Sequence, residues 1–310
     1  MSGYTIAVLA GDGIGAEIIE QALGVLRAVG DATGCRLEAE PLDAGAGRFL
    51  RTGQAMSDDT YERCRRADAM LMGAIGLPEA RHPDGTEVSG DVMFRLRFGL
   101  DLYAGIRPVR LFAGVPPVLA RGGPGIDYVV VRENIEGLYA SRGGGCLVQD
   151  RVAVDSLVVT SEGTRRITEV AFRLAEARRG RPSDGRRVVT CVDKSNVLRT
   201  YAFFRSVFDQ VAAGHPQVAA DHVYVDAMTA YQVLRPWNFD VVVAENMFGD
   251  IISDLAAATV GGLGMAPSAD VGDRHGLFQP AHGSAPDIAG RGIANPVAAI
   301  LSAAMMLEWL

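Results

Sequence analysis

An α/β fold, with parallel or mixed sheets flanked by helices, is predicted by three features of the sequence. Short β-branched runs alternate with helical patterns to the end of the chain, and the first apolar run leads straight into a glycine turn and then a helix. In addition, 48% of the 310 residues are apolar, enough to bury a large core in one globular unit of two lobes. Such alternation places sheets between layers of helices.

Taken in order, the first strand falls at 4–10 and the first helix at 16–29. Strands follow at 68–72, 127–132, 187–193, 222–226 and 239–244, with helices at about 161–178, 199–213 and 248–259. The stretch 142–160 departs from this rhythm: three glycines at 143–145 precede alternating Val152, Val154, Leu157 and Val159. That pattern predicts a two-stranded arm, and because a lone ribbon cannot bury its apolar face, the arm must pack on another lobe or another subunit. Pro/Gly-rich segments at 113–126, including Gly122 to Pro124, and at 180–186 are predicted surface connections. No internal repeat or low-complexity segment interrupts the pattern.

The net charge of -7 argues against a nucleic-acid surface, so any anionic ligand must meet a local basic patch. Cys35, Cys64, Cys146 and Cys191 form no CxxC pair, which fits reduced thiols better than a disulfide scaffold or a zinc site. No signal peptide is read at the start, and the longest apolar stretch, 296–310, is too short to span a membrane and carries Glu308. These features predict a cytoplasmic protein with no membrane partner.

Several residues carry candidate chemistry. The Gly-Asp-Gly-Ile-Gly run at 11–15 lacks the GxGxxG spacing and serves equally as a tight strand-to-helix turn. Asp250 and Asp254 are four apart on a predicted helix that is otherwise largely apolar. Two carboxylates on one such face repel, and a bound cation is the natural compensation; oxygen ligands point to a hard ion, Mg²⁺ or Mn²⁺. Arg97, Arg107 and Arg132 could grip carboxylates through bidentate forks if they converge, which local sequence does not reveal. Tyr139 and Lys194 are candidate proton carriers for a hydroxy-acid dehydrogenase, although Asp193 could instead be an ion-pair partner for Lys194.

Seven segments together resemble the β-decarboxylating dehydrogenases, a family of isopropylmalate, isocitrate, homoisocitrate and tartrate enzymes. They are GDGIG at 11–15, DLYAGIRP at 101–108, VRENIEGLY at 131–139, DKSNVL at 193–198, VDAM at 225–228, GDIISDL at 249–255 and HGSAPDIAGRGIANP at 282–296. They occur in family order and span nearly the whole chain. The resemblance implies a non-Rossmann fold of two domains, with 1–102 and 261–310 binding cofactor and 103–260 binding substrate and metal. It also implies a homodimer clasped by the arm at 142–160, with each active cleft built by both subunits.

By the same resemblance, Arg97, Arg107 and Arg132 match the arginines that hold the malate carboxylates. Asp226, Asp250 and Asp254 match the metal carboxylates, Asp226 arriving from the partner chain. Tyr139 and Lys194 match the catalytic pair, and Lys194 and Asn196 also come from the partner. The cofactor implied is NAD, held by Ile14, His282, Gly283, Ser284, Ala285, Asp287, Ile288 and Asn295. Asp287 stands where NAD users carry a carboxylate toward the adenosine ribose, a charge that repels the 2′-phosphate of NADP.

Two departures from the family pattern are visible. Family members continue for several dozen residues past the equivalent of Leu310, so the last elements of the first domain are expected to be missing. The acidic residue often found seven before the first arginine is replaced by Gly90, with Glu87 and Asp91 nearby.

Substrate choice rests on Asp91, Met93 and Phe94, where the family faces the third substituent of the malate. Isocitrate enzymes carry Ser and Asn six and four positions before that arginine; here Asp91 would repel a third carboxylate, and Met93 with Phe94 offers apolar surface. Arg95 is the counterargument, since it could aim at a distal carboxylate. The implied reaction is NAD-dependent oxidative decarboxylation of a 3-substituted malate, first 3-isopropylmalate. Tartrate or D-malate is the alternative, which 107–115 and 122–124 resemble. A catalytically silent regulatory homologue would have lost a metal carboxylate or the catalytic pair, and none is lost here.

Overall fold

The computed structural model describes residues 3–120 and 123–310, so Gly122 lies outside the described residues. The chain begins β1 (Gly3–Leu9), α1 (Gly15–Thr33), β2 (Arg36–Leu42), α2 (Ala46–Thr52), α3 (Asp58–Arg66), β3 (Ala69–Met72) and α4 (Ser89–Gly99). It continues with β4 (Ala104–Arg110), β5 (Asp127–Glu133), β6 (Cys146–Val148), β7 (Val152–Val154), α5 (Ser161–Ala177), β8 (Val188–Asp193), α6 (Arg199–Ala212), β9 (Ala219–Tyr224), α7 (Val225–Leu234), β10 (Val241–Ala244) and α8 (Asn246–Thr259). It closes with β11 (Pro267–Val271), β12 (Gly276–Pro280) and α9 (Val297–Trp309). This is the mixed α/β architecture the alternation predicts.

Two compact units result, one of residues 1–102 and 263–310, the other of residues 103–262. In the first, the strand order is β2-β1-β3-β12-β11, all parallel except the β11–β12 pair. Ile6 to Leu9 are buried without alternation, as expected of a parallel strand covered on both faces. Helix α1 turns Ile18, Ile19, Ala22 and Leu26 inward and stops at Gly34, whose φ of 74° ends the helix in a left-handed cap. Beneath α4, Val92, Leu96 and Leu102 pack with Leu9, Met70 and Leu277.

In the second unit the order is β4-β5-β10-β8-β9, with β4 antiparallel to β5 and the other pairs parallel. Tyr128, Val130, Val192, Val242, Met228 and Ile252 form its core. The strand expected at 222–226 ends at Tyr224, and Asp226 lies in the first turn of α7. A carboxylate there complements the positive end of the helix, which accounts for the early switch. Strands β6 and β7 form a separate ribbon in which Leu147, Val148, Val152 and Val154 are all exposed. Among the described residues no helix is long and apolar enough to cross a membrane.

Helices α5 and α6 are stitched by His215. Its Nδ1 lies 2.8 Å from Glu176 Oε1, its Nε2 lies 3.1 Å from Glu169 Oε2, and its ring stacks on Phe172. The hydrogen bond to Glu176 raises the His215 pKa, partial burial opposes it, and Glu169 adds to it. A raised folded-state pKa contributes stability that is fully present below the unfolded value of about 6.5 and lost as pH rises through the folded value. The difference in urea midpoint between wild type and His215→Gln is therefore expected to be largest near pH 5 and to shrink toward pH 8, roughly bracketing that titration. A gap independent of pH would contradict the linkage.

Candidate active site

Register brings the first cluster together in the second unit. Gly105 on β4 faces Arg132 on β5, and Arg107 faces Val130, so Arg107 and Arg132 project from one face of the sheet. Strand β10 pairs Ala244 with Arg132 and runs directly into α8. Glu245 caps that helix, accepting from Met247 N and Phe248 N at 3.1 and 3.0 Å and from Tyr201 Oη at 2.9 Å. The first turn of α8 presses on Arg132: a Cβ at Gly249 would stand 2.7 Å from Arg132 Cγ.

Asp250 and Asp254, one turn apart on α8, thereby meet the arginines. Arg132 Nη1 donates to Asp250 Oδ1, and Tyr139 Oη donates to Asp250 Oδ2 at 3.0 Å. The guanidinium of Arg132 also sits over the Tyr139 ring. Desolvation and repulsion by Asp250 push the Asp254 carboxyl above its ordinary value, offset by Arg107 and Arg132. Tyr139 is placed by a tight turn. Within it, Glu133 accepts from Ile135 N and Glu136 N, and Gly137 has a φ of 75° with Glu245 Oε2 only 2.6 Å from where a Cβ would stand. Burial pushes the Glu133 carboxyl up to about 7, against those backbone bonds.

Lys194 follows β8, and its Nζ lies 2.5 Å from Asp226 Oδ1. The hydrogen bond from Lys194 holds the Asp226 carboxyl below its usual range. Asp193, the alternative partner, is instead buried and gripped twice by Arg205 at 2.7 and 3.0 Å. Asn196 is exposed. Within one chain, Asp226 is not grouped with Asp250 and Asp254: no set of three or more His, Cys, Asp or Glu among the described residues is arranged to hold a cation.

The remaining arginine lies in the first unit. Arg97, only 6% exposed, donates from Nε and Nη2 to Asp270, a fully buried carboxylate that also accepts from Gln279 Nε2. Met93 packs against the core beneath α4, and Phe94 stacks on Phe98. Arg95 is engaged elsewhere, donating to Met56 O at 3.1 Å and pairing with Asp58. Asp91 Oδ2 lies 2.8 Å from His82 Nε2.

A cavity of about 360 Å³ in the same unit is lined by Ile14, His282, Gly283, Ala285, Ile288 and Asn295, together with Leu263, Gly264, Ile293 and Ala294. Ser284 instead lines the neighbouring cavity with Gly76 and Ser89; its Oγ donates to Gly76 O at 2.5 Å and its carbonyl accepts from Ile14 N at 2.8 Å. Asp287 is exposed and is not among the lining residues. His282 Nε2 is buried without a hydrogen-bond partner, a donor or acceptor that a polar nucleotide could satisfy.

The glycine run at 11–15 ties this loop down. Gly13, with φ of 56°, approaches so closely that a Cβ would stand 2.0 Å from Ser284 O. Asp12 was not singled out by spacing, yet it accepts from Ala46 N, Gly47 N and Gly76 N at 2.7 to 2.9 Å, clamping α2 and the 73–76 loop around the run. A signal for Lys194 was present but easily passed over: of the 30 Lys and Arg residues, it is the only lysine. A chain that elsewhere meets every need for a cation with arginine keeps a titratable amine here.

The isocitrate/isopropylmalate dehydrogenase family profile matches residues 5–310. A 3-isopropylmalate/3-methylmalate dehydrogenase of Methanocaldococcus jannaschii is 45% identical over 308 residues, covering 99% of this chain and 86% of the relative. A 3-isopropylmalate dehydrogenase of Aquifex aeolicus is 40% identical over 314 residues, covering 100% and 84%. Among solved structures, isocitrate dehydrogenase from Methylococcus capsulatus superposes with a TM-score of 0.86 at 36% identity, covering 98% of this chain and 85% of that one.

Proposed function

The chain belongs to the isocitrate/isopropylmalate dehydrogenase family, and we propose that it oxidises and decarboxylates 3-isopropylmalate with NAD. The observation that carries this reading is the meeting of Arg107, Arg132, Tyr139, Asp250 and Asp254 in the second unit. Arg107 and Arg132 grip the carboxylates of the substrate. Asp250 and Asp254 fit a hard divalent cation, since they are oxygen donors whose mutual repulsion already disfavours one charge. The partner subunit's Asp226 would complete the set for Mg²⁺ or Mn²⁺. When bound, that ion supplies positive charge to the substrate hydroxyl and to the enolate.

NAD, held by the loop at 282–295 with Ile14, would supply the acceptor for the hydride lost from C2. The hydroxyl proton is lost to a base for which Lys194 is the candidate, giving a β-keto acid. The bond from C3 to its carboxylate carbon then breaks, CO₂ departs, and the electron pair remains as an enolate. Tyr139 Oη, with Lys194, returns a proton to C3. The exposed apolar arm and the exposed Val197, Leu198 and Ile251 support a homodimer that covers them. Four free cysteines, two of them buried, support a reducing cytoplasm.

An apolar third substituent is favoured because Arg95 is committed to Met56 and Asp58 and so offers a distal carboxylate no charge. NADH formation with Mn²⁺ and 3-isopropylmalate, D-malate, tartrate or isocitrate tests the reading. Highest catalytic efficiency with 3-isopropylmalate is expected. Preference for isocitrate would overturn the choice of an apolar substituent, and preference for D-malate or tartrate would replace the substrate. NAD should outperform NADP by at least about tenfold, or about 1.4 kcal/mol, because Asp287 repels the 2′-phosphate. Equal efficiency would remove that role. In a folded Tyr139→Phe variant the rate should fall by roughly 10² to 10⁴-fold through loss of the acid; a wild-type rate would falsify the assignment.

A further inference from the structure

Asn246, the first residue of α8, is completely buried. Its Oδ1 accepts from Arg132 Nε at 3.0 Å and from Nη2 at 2.8 Å, and its Nδ2 donates to Glu136 O at 2.9 Å. The orientation of the amide is fixed by chemistry: a guanidinium only donates and a carbonyl only accepts, so oxygen must face Arg132 and nitrogen must face Glu136. One side chain therefore holds the guanidinium of Arg132 and the turn that ends in Tyr139. Gly249 and Gly137 allow the close approach, since a Cβ at Gly249 would collide with Arg132 and one at Gly137 would stand 2.9 Å from Asn246 Cβ.

We propose that Asn246 is a positioning residue that aims Arg132 at a substrate carboxylate without adding a second negative charge to it. The role given to Arg132 rests on the proposed function. An aspartate at 246 would hold the same two guanidinium nitrogens but would pair with the charge that the substrate carboxylate needs. An amide supplies the same acceptor geometry and adds no second carboxylate to the one that Asp250 already presents to Nη1. A purely structural Asn246 would show itself in Asn246→Asp as a lowered melting temperature, because a carboxylate oxygen cannot donate to Glu136 O, with the substrate KM unchanged in the folded protein; a residue that tunes Arg132 would raise that KM as well.

Asn246→Asp and Asn246→Ala are compared with wild type by thermal melting, steady-state kinetics, and hydrogen exchange of the Arg132 Nε–H, assigned by its loss in Arg132→Gln. Wild type should show a protected Nε–H. In Asn246→Ala that protection should be lost, and KM for 3-isopropylmalate should rise about tenfold or more, as for a lost hydrogen bond to a charged group. In Asn246→Asp the protection should remain while KM rises similarly. In both variants KM for NAD should be unchanged and kcat should change less than the substrate KM, because Arg132 binds ground and transition states alike. Unchanged KM in a folded Asn246→Asp, or a protected Nε–H in Asn246→Ala, would overturn the proposal. The exchange measurement needs no turnover. If the wild-type protein oxidises none of the malates, the proposed function fails and exchange in Asn246→Ala alone decides whether Asn246 holds Arg132.

Discussion

Replacing Lys194 by arginine is expected to lower the overall rate by roughly 10² to 10⁴-fold while leaving the fold intact. The substitution keeps a positive charge opposite Asp226, the partner that Lys194 meets at 2.5 Å. What it removes is an amine able to release and regain a proton, because a guanidinium stays protonated throughout the accessible pH range. Lys194 is the only lysine in a chain with 30 basic residues, so a purely electrostatic need here could have been met as it is everywhere else. Near-wild-type turnover of Lys194→Arg, measured as NADH formation on a protein with an unchanged melting curve, would reduce Lys194 to a charge.

Chelation is expected to have the largest effect of all. After treatment with excess EDTA and dialysis, turnover should fall below detection and return on addition of Mn²⁺ or Mg²⁺. The physical reason lies in α8: Asp250 and Asp254 share one face, and Asp254 is pushed up by burial and by Asp250, with the arginines only partly compensating. Asp250 also meets Arg132 and Tyr139, the groups assigned to substrate binding and proton transfer. An undiminished rate after dialysis would show that these carboxylates serve another purpose.

Much of the fold was legible because buried parallel strands are written as apolar runs. The segments 127–132, 187–193 and 239–244 each contain a buried strand, and the helices around them follow the 3.6-residue pattern. Strands β11 and β12 were harder to read, because Ser268, Asp270 and Gln279 are polar yet buried, and two of them are satisfied by long-range partners: Arg97 and Gln279 for Asp270, and Asp270 for Gln279. Helix α7 is not marked in the sequence because it follows β9 with no intervening turn residue, Val225 coming directly after Tyr224. The site divides in the same way. Asp250 and Asp254 could be placed on one face by counting residues, but the shared face of Arg107 and Arg132 depends on the register of β4 against β5. The clamp formed by Asp12 joins backbone groups at 46, 47 and 76, a relation no local pattern encodes.

The stoichiometry of products tests the central claim most directly. With 3-isopropylmalate, NAD and Mn²⁺, the CO₂ released and the NADH formed should rise together in equal amounts, and neither should form without NAD. NADH without CO₂ would describe a simple hydroxy-acid dehydrogenase, and CO₂ without NADH a decarboxylase; either result would contradict the reaction proposed for Tyr139, Lys194 and the carboxylates of α8.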